Sequence, residues 1–429
     1  MRILVAGASG VIGSALAGRL SAAGHEVVRG VRDVGAARRN WPGAEVLAMD
    51  YTRMGEPADW VGKLAGIDGI VNAVGIFGEQ DRQTFDALHV KGPRIVFEAA
   101  VAAGVGRIVQ LSALGARPGA GTAFLATKGE ADAALQRLPI VHTIVLPSLV
   151  FAPRGRSTRW FALLSSLPVA PLPAGGVQMV QPVHLDDLCD AVVRLLETRD
   201  PPPRLQAVGS TRLSLKDYLR ALKRALGFGG GFVPVPMRLA KAVLRWPVFR
   251  AVPLTPDALA MLESGSTGDS APLSSLLGRS PRAVESFLPP GARPAMRRDA
   301  VLGWLLPLLR YSVAALWIVT GLVSVFGFPV SDSLELLART GLHGAFGTVA
   351  LYGAAALDIL LGVLVLFAPT RRASYLAQIV LVAFYTATIT AFLPEYWRHP
   401  YGPVLKNLPL LAAIALLHYL DRPDGIPRR

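Results

Sequence analysis

Short apolar runs separated by segments of helical spacing fill the first 150 residues, whereas long apolar runs dominate beyond residue 300. Ile3 to Ala6 make a run suited to a buried parallel strand, glycines follow at 7, 10 and 13, and Val11 to Leu20 continue with helical periodicity. This pattern predicts strand, turn, helix. HEVVRGVR (25–32), AEVLAMD (44–50), GIDGIVNAVG (66–75), RIVQLSA (107–113) and VHTIVLP (141–147) supply five more strands, with helical stretches between them. Alternation of this kind predicts an α/β doubly wound parallel sheet whose ligand lies at the C-terminal ends of the strands.

From Phe151 to about Pro290 the pattern is that of a smaller, variable region, giving a first domain of residues 1–290. VHLDDLCDAVVRLLET (183–198) predicts a helix starting near His184. Asp186 and Asp187 suit its positive first turn as caps, with a catalytic pair as the alternative. PMRLAKAVLRWPVFR (236–250) sets Arg238, Lys241 and Arg245 at helical spacing around Trp246 and leucines, which suits either an anionic bilayer surface or a lid over a cleft. Residues 264–275 have the composition of a mobile loop, and LPPGARPAMRR (288–298) that of a linker, which is set at 291–300. Four apolar segments follow in 301–429: Leu302 to Phe328, Leu342 to Phe367, Ala373 to Leu393 and Val404 to Leu420. Each is long enough, or nearly so, to cross a hydrocarbon core of about 30 Å, so an all-α four-helix transmembrane domain is expected.

Composition agrees. The 429 residues are 52% hydrophobic, and a mean hydropathy of +0.42 is high for a soluble chain. A formal net charge of +14 is not gathered into a nucleic-acid motif with stacking aromatics, so nucleic acid is not expected as a partner, and an anionic lipid surface is the simpler one. The single cysteine, Cys189, excludes an internal disulfide and a cysteine-built metal site. Arg2 leads straight into a strand without the apolar stretch of a signal peptide. Arg297, Arg298 and Arg310, then Arg371 and Arg372, then Arg422, Arg428 and Arg429 mark one side of the spans. By the positive-inside rule that side is cytoplasmic, which places the first domain and both termini in the cytoplasm at the cell inner membrane.

In GASGVIG (7–13), Gly7 permits a tight turn, Gly10 a close backbone approach to a pyrophosphate and Gly13 close packing of helix on strand. Ser9, Val11 and Ile12 line the same turn, where helix amides face phosphate. Asp50 and Tyr51, after the third strand, sit where the adenine end of a dinucleotide would lie. Asn72, Ala73, Val74 and Gly75 follow the fourth strand, and Pro147 ends the sixth. Arg32, ahead of Asp33 at the end of the second strand, suits a 2′-phosphate, so NADP is expected over NAD. Arg29 adds positive charge nearby.

These pieces, with LSALGA (111–116), FLATK (124–128), LPSLVFAP (146–153) and QPVHLDDL (181–188), resemble the extended or atypical branch of the short-chain dehydrogenase/reductase superfamily, over about residues 1–290. The resemblance implies an NAD(P)-binding Rossmann fold of epimerase-like type. It implies a catalytic Ser112, and a Lys128 that binds the nicotinamide ribose and lowers the pKa of a tyrosine four residues earlier. Phe124 occupies that tyrosine position. A benzyl ring has no proton to give, and no tyrosine lies between Ser112 and Trp160. Three readings stay open: a cofactor-binding domain without the usual chemistry, a different proton donor, or a shifted alignment.

LHG (342–344), Asp358 in LDILLG, and HPYGPVLKNLPLL (399–411) resemble the DoxX-like family of four-helix membrane proteins, some of which are associated with quinone-linked electron transfer. Asp358 is an acid inside a span, open to a proton or ligand role or to a hydrogen bond with Gln378 or a threonine. His343, Glu395, His399 and Lys406 gather near the outer face, and no metal site is expected. Together these features predict a membrane-anchored NAD(P)-binding oxidoreductase for a small, lipid-soluble, quinone-like or carbonyl substrate, with a protein partner or second copy open. The alternative is a non-catalytic nucleotide-binding module for assembly or redox sensing, since the first domain also resembles the nucleotide-binding accessory subunit of respiratory complex I.

Overall fold

The strand β1 (Arg2–Ala6) lies inside a seven-stranded sheet in the computed structural model, which describes residues 1–244 and 255–421. Contacts divide the chain into two units, Met1–Val301 and Leu302–Arg429. In the first, β2 (Glu26–Val31), β3 (Glu45–Ala48), β4 (Gly69–Asn72), β5 (Arg107–Leu111) and β6 (Val141–Pro147) correspond to the expected strands. Of the later strands β7 (Val150–Phe151), β8 (Val169–Pro173), β9 (Met179–Val180), β10 (Val183–His184), β11 (Arg204–Ala207), β12 (Leu213–Ser214) and β13 (Gly231–Val235), β11 joins the sheet as a seventh member. Its RLQA sequence carries too little apolar signal to stand out. The order is β11-β6-β5-β4-β1-β2-β3, and every pair is parallel.

Both faces of the sheet are covered, as an all-parallel sheet requires. Helices α1 (Val11–Ala22) and α2 (Val34–Asn40) pack on one face around Ile3, Val5, Leu16, Leu20 and Val71. On the other face α3 (Ala58–Val61), α4 (Gly92–Ala102) and α5 (Ala123–Leu135) enclose Leu4, Ile70, Phe97, Ile108 and Ile144. The smaller region contributes α6 (Arg156–Ser166), α7 (Leu185–Glu197), α8 (Leu215–Leu226), α9 (Met237–Leu244), α10 (Pro256–Glu263) and α11 (Ala271–Leu277). A third core here gathers Phe151, Phe161, Tyr218 and Phe287.

Several expectations for this region are corrected. The cap of α7 is His184, whose Nδ1 accepts from the Asp186 amide at 3.1 Å. Asp186 and Asp187 do lie in the first turn of α7, and Asp187, fully buried, accepts from Arg279 Nη2 at 2.7 Å and from the Arg282 amide at 2.7 Å, pinning 279–282 to α7. The segment 264–275 is tied down, since the Ser266 amide donates to Met179 O, the Gly268 amide to Gln181 Oε1 and the Asp269 amide to Gln206 Oε1, while Leu273 is buried. Polar composition did not reveal those three acceptors. The expected linker is also structured: it continues into α12 (Arg293–Leu322), and Met296 and Ala300 enter the third core. In 236–250, Arg245 and Trp246 lie outside the described residues, as do Arg422, Arg428 and Arg429.

In the second unit α12 is followed by α13 (Val330–Arg339), α14 (Gly344–Leu364), α15 (Arg371–Phe392) and α16 (Asn407–Leu420). Three helices, within Pro290–Gly327, Gly344–Leu364 and Arg371–Phe392, are long and apolar enough to cross a membrane. The fourth expected span is shorter than its apolar run suggests: α16 has 14 residues, a rise of about 21 Å. Asp332, Glu335 and Arg339 lie on the helix α13, and Arg339 pairs with Glu395. Arg310 forms a fork to the carboxylate of Asp421, which also accepts from Tyr375 Oη at 2.9 Å. Three helices are thereby joined at one level.

Gly321 and Gly362 allow α12 and α14 to touch. A Cβ on Gly321 would stand 2.6 Å from Ala355 O, and one on Gly362 2.8 Å from Ala314 O. Gly353, on the same helix α14, has open space instead. Gly362→Leu is therefore expected to destabilise the second unit by about 1–3 kcal/mol through overpacking, read as a lower unfolding midpoint of the full chain in detergent, with Gly353→Leu close to wild type.

Candidate functional site

The turn from β1 to α1 is held by contacts that leave its outer edge bare. The Gly7 amide donates to Gly30 O at 3.0 Å and the Gly10 amide to Gly7 O at 2.9 Å. Gly7 has φ +79 and packs on Ala73, and a Cβ on Gly13 would stand 2.2 Å from Gly7 O. Both positions thus require glycine. Gly10 is the N-cap of α1, and no side chain caps the helix. The first-turn amides of Val11, Ile12 and Gly13 have no acceptor within their own helix, and Ser9, Gly10 and Val11 are exposed at the rim. The result is an open positive helix end over the C-terminal edge of the sheet, suited to a diphosphate.

At the β2 end, Arg32 is exposed and in no ion pair among the described residues, while the Asp33 carboxylate caps α2 by accepting from the Ala36 amide at 2.8 Å. Arg29 differs from Arg32. It is nine-tenths buried with its guanidinium 4.6 Å over the Trp41 ring, and burial lowers its pKa, so it packs in the interior and does not serve the rim. Asp50 closes a local turn, accepting from the Thr52 amide at 3.0 Å and Thr52 Oγ1 at 2.8 Å. Tyr51 turns inward.

Tyr51 begins a buried polar line under the site. Its Oη donates to Asn72 Oδ1 at 3.0 Å and Asn72 Nδ2 donates to Gln110 Oε1 at 2.7 Å, while Gln110 Nε2 is buried without a partner. Asp132, 2% exposed, accepts from Ser112 Oγ at 2.5 Å. Burial pushes the Asp132 carboxyl up to about 6 against the lowering effect of Ser112 and Lys128. Ser112 Oγ is thus engaged in the interior. Asp132 lies one turn beyond Lys128 on α5, and spacing from the glycine loop gave no reason to select it.

Lys128 is buried with Nζ donating to Val74 O and to Leu111 O, each at 3.0 Å. Burial lowers it to about 8, opposed by Asp132. A Cβ on Gly75 would lie 3.3 Å from Nζ, so the loop 73–75 rests directly on the ammonium. His89 holds the next residue: its Nε2 accepts from the Ile76 amide at 3.1 Å and its Nδ1 meets Thr127 Oγ1 at 3.1 Å. Burial, with the Lys128 charge second, drives its pKa far down and keeps the ring neutral. His89 was not singled out in sequence, because a lone histidine before a helix carries no motif.

Phe124 sits in an apolar box. Its ring stacks on Phe77 at 4.8 Å and meets Phe85 at 6.2 Å and His89 at 5.4 Å edge-on, with Ala113 and Ala116 alongside. Beside it a cavity of about 180 Å³ opens between Leu114, Arg117 and Leu125 on one side and Met261, Ser264 and Ser266 on the other. A wider cleft of about 470 Å³ lies between Tyr51 and the start of α4, near Glu56, Lys91 and Arg94. Neither encloses the glycine loop. Pro147 ends β6 with its carbonyl accepting from the Leu114 amide at 2.9 Å. Cys189 packs at 2% exposure, its thiol pushed up to about 12 by burial.

Residues 7–159 match the NAD(P)H-binding family profile, and residues 314–415 match the DoxX-like family. An uncharacterized protein of Mycobacterium tuberculosis is 33% identical over 235 residues, covering 53% of this chain and 24% of that protein, and a Mycobacterium bovis protein matches equally. The chain thus spans about a quarter of the length of these curated relatives. Among solved structures, a nucleoside-diphosphate-sugar epimerase from Staphylococcus aureus is similar at TM-score 0.55 and 19% identity, covering 67% of this chain and 99% of that one. The UDP-glucuronic acid 4-epimerase from Bacillus cereus, in complex with UDP-glucuronic acid and NAD, is similar at TM-score 0.52 and 18% identity, covering 71% and 100%. At such identities the likeness is one of fold. The chain therefore joins an NAD(P)H-binding Rossmann domain, with epimerase and dehydratase structural neighbours of the short-chain dehydrogenase/reductase type, to a DoxX-like domain.

Proposed function

We propose that this protein is a membrane-associated NAD(P)H-binding module that holds the dinucleotide without the tyrosine-type proton transfer of the reductases it resembles. The carrying observation is at α5: Phe124, at the position the resemblance assigns to tyrosine, sits inside an apolar box, and Ser112 Oγ is committed to Asp132. A carbonyl oxygen receiving a hydride needs a proton from a positioned acid. In this reading Lys128 and the Gly7–Gly13 turn bind, and the phosphate, ribose and nicotinamide of NADPH occupy the strand ends. NADPH would supply a hydride when bound.

A second reading, a reductase for a lipid-soluble quinone-like or carbonyl acceptor, is favoured by the intact Lys128 and by the DoxX-like domain, which would concentrate such an acceptor near the cleft. For the membrane domain we propose four helices with the first unit on the cytoplasmic side. Supporting this, Asp421 at the end of α16 is level with Arg310 of α12, which brings the two chain directions to one face.

The separating experiment is NADPH oxidation by the full chain in lipid with short-chain quinones and aldehydes. Tight binding without turnover is expected, and turnover that Lys128→Ala abolishes would install the reductase reading instead. If Phe124 occupies the tyrosine position, Phe124→Tyr gains aldehyde reduction from that background.

Arg32→Ala is expected to weaken NADPH binding about tenfold, near 1.4 kcal/mol, while leaving NADH unchanged, as measured by calorimetry. Equal losses for both would refute the 2′-phosphate assignment.

Because burial holds Lys128 at about 8, its charge is present below that pH and lost above it. Dinucleotide affinity should fall between about pH 7 and about pH 9 in the wild type and stay flat in Lys128→Met.

A further inference from the structure

Asp358 is one of two acids in the second unit that are nearly buried, and the two are treated differently by their surroundings. Asp421 is met by Arg310 and Tyr375. Asp358, on α14 and 6% exposed, forms no hydrogen bond or ion pair among the described residues, and its Oδ1 is buried without a partner. The helix–helix hydrogen bond with Gln378 weighed from sequence is not made. Gln378 Nε2 donates to Leu361 O and to Ser374 Oγ, each at 3.2 Å.

What faces the acid is backbone and apolar surface. From α12 the neighbour is Gly321, where a Cβ would stand 3.3 Å from Asp358 Cβ and 2.7 Å from Ile359 Cγ1. From α15 the titratable group within electrostatic reach is Tyr385. Arg310 and Arg339 are committed to Asp421 and Glu395, and Arg371 to the Val365 and Leu366 carbonyls. No lysine, arginine or histidine pairs with Asp358 among the described residues. Three further polar atoms of the same helices are buried and unfilled: Gln378 Oε1, an acceptor, and Trp304 Nε1 and Trp317 Nε1, both donors on α12.

A carboxylate buried in hydrocarbon without a counter-ion or donors is costly, whereas the neutral acid is not. We propose that Asp358 is a proton-binding site of the membrane domain, occupied in this packed arrangement and emptied only when the α12–α14 seam at Gly321 loosens. The ligand is the proton itself. Loss of the proton leaves an anion in need of a donor; of the two unfilled donors on α12, Trp317 Nε1 stands one helical turn from Gly321, so deprotonation and repacking of α12 against α14 go together. This inference is independent of whether the first unit turns over its dinucleotide.

The test is infrared spectroscopy of the full chain in phosphatidylcholine vesicles. At neutral pH the wild type minus Asp358→Asn difference should contain the C=O stretch of a protonated carboxylic acid, shifted in D2O and lost as the pH is made strongly alkaline. A carboxylate doublet in its place at neutral pH overturns the proposal, as does an acid band that strong alkali leaves intact. Should Asp358→Asn not fold, the wild type minus Asp358→Glu difference makes the same assignment, since the acid C=O band moves when the side chain is lengthened at this position and stays in place if it belongs to another residue. Trp317→Phe adds a readout for the donor: the acid band should persist to higher pH than in the wild type, and an unchanged midpoint overturns the coupling to α12.

Discussion

The contact between Gly13 and Gly7 is the constraint on which the first unit depends. With no Cβ at either residue, α1 can start hard against the end of β1, and its first-turn amides are left facing outward over the sheet edge. Everything nearby conforms to that placement. Gly7 rests on Ala73, the loop 73–75 rests on Lys128, and His89 and Lys128 hold this loop by its backbone groups. The binding edge is therefore built from main chain, fixed by a few buried side chains behind it.

Behind that edge lie buried polar groups that are only partly satisfied, since Gln110 Nε2 and Asp132 Oδ1 have no partner among the described residues. Tyr51, Asn72 and Gln110 form one buried chain of hydrogen bonds beneath the strand ends, and Ser112 and Asp132 form a separate buried pair. Such a line stiffens the floor of a site, because breaking any link strands a buried polar group. The pair with Asp132 withdraws Ser112 from the cleft. Together with the apolar enclosure of Phe124, this is what supports the proposed binding role over tyrosine-type proton transfer.

The membrane domain is organised by another rule. Glycines at 321 and 362 bring α12 and α14 into backbone contact, and the Arg310–Asp421–Tyr375 cluster ties helix ends where charge can be paired. Asp358 lies beyond the reach of that pairing. The same close packing that excludes a partner also excludes an easy route to ionisation.

Much of this was legible in the residues alone. The six apolar runs and the glycine spacing determined the parallel sheet and the cradle, because strand burial and turn geometry are local requirements that composition must meet. The long apolar segments determined a membrane-type second half for the same reason. Phe124 showed its missing hydroxyl without any coordinates. Tertiary structure decided the rest. That Asp187 is an ion-pair hub, that Ser112 spends its hydroxyl on Asp132, that 264–275 is anchored and that Asp358 has no partner all depend on residues distant in sequence. A polar side chain in a string of letters does not state its partner, and only the packed fold determines which groups end up within hydrogen-bonding distance.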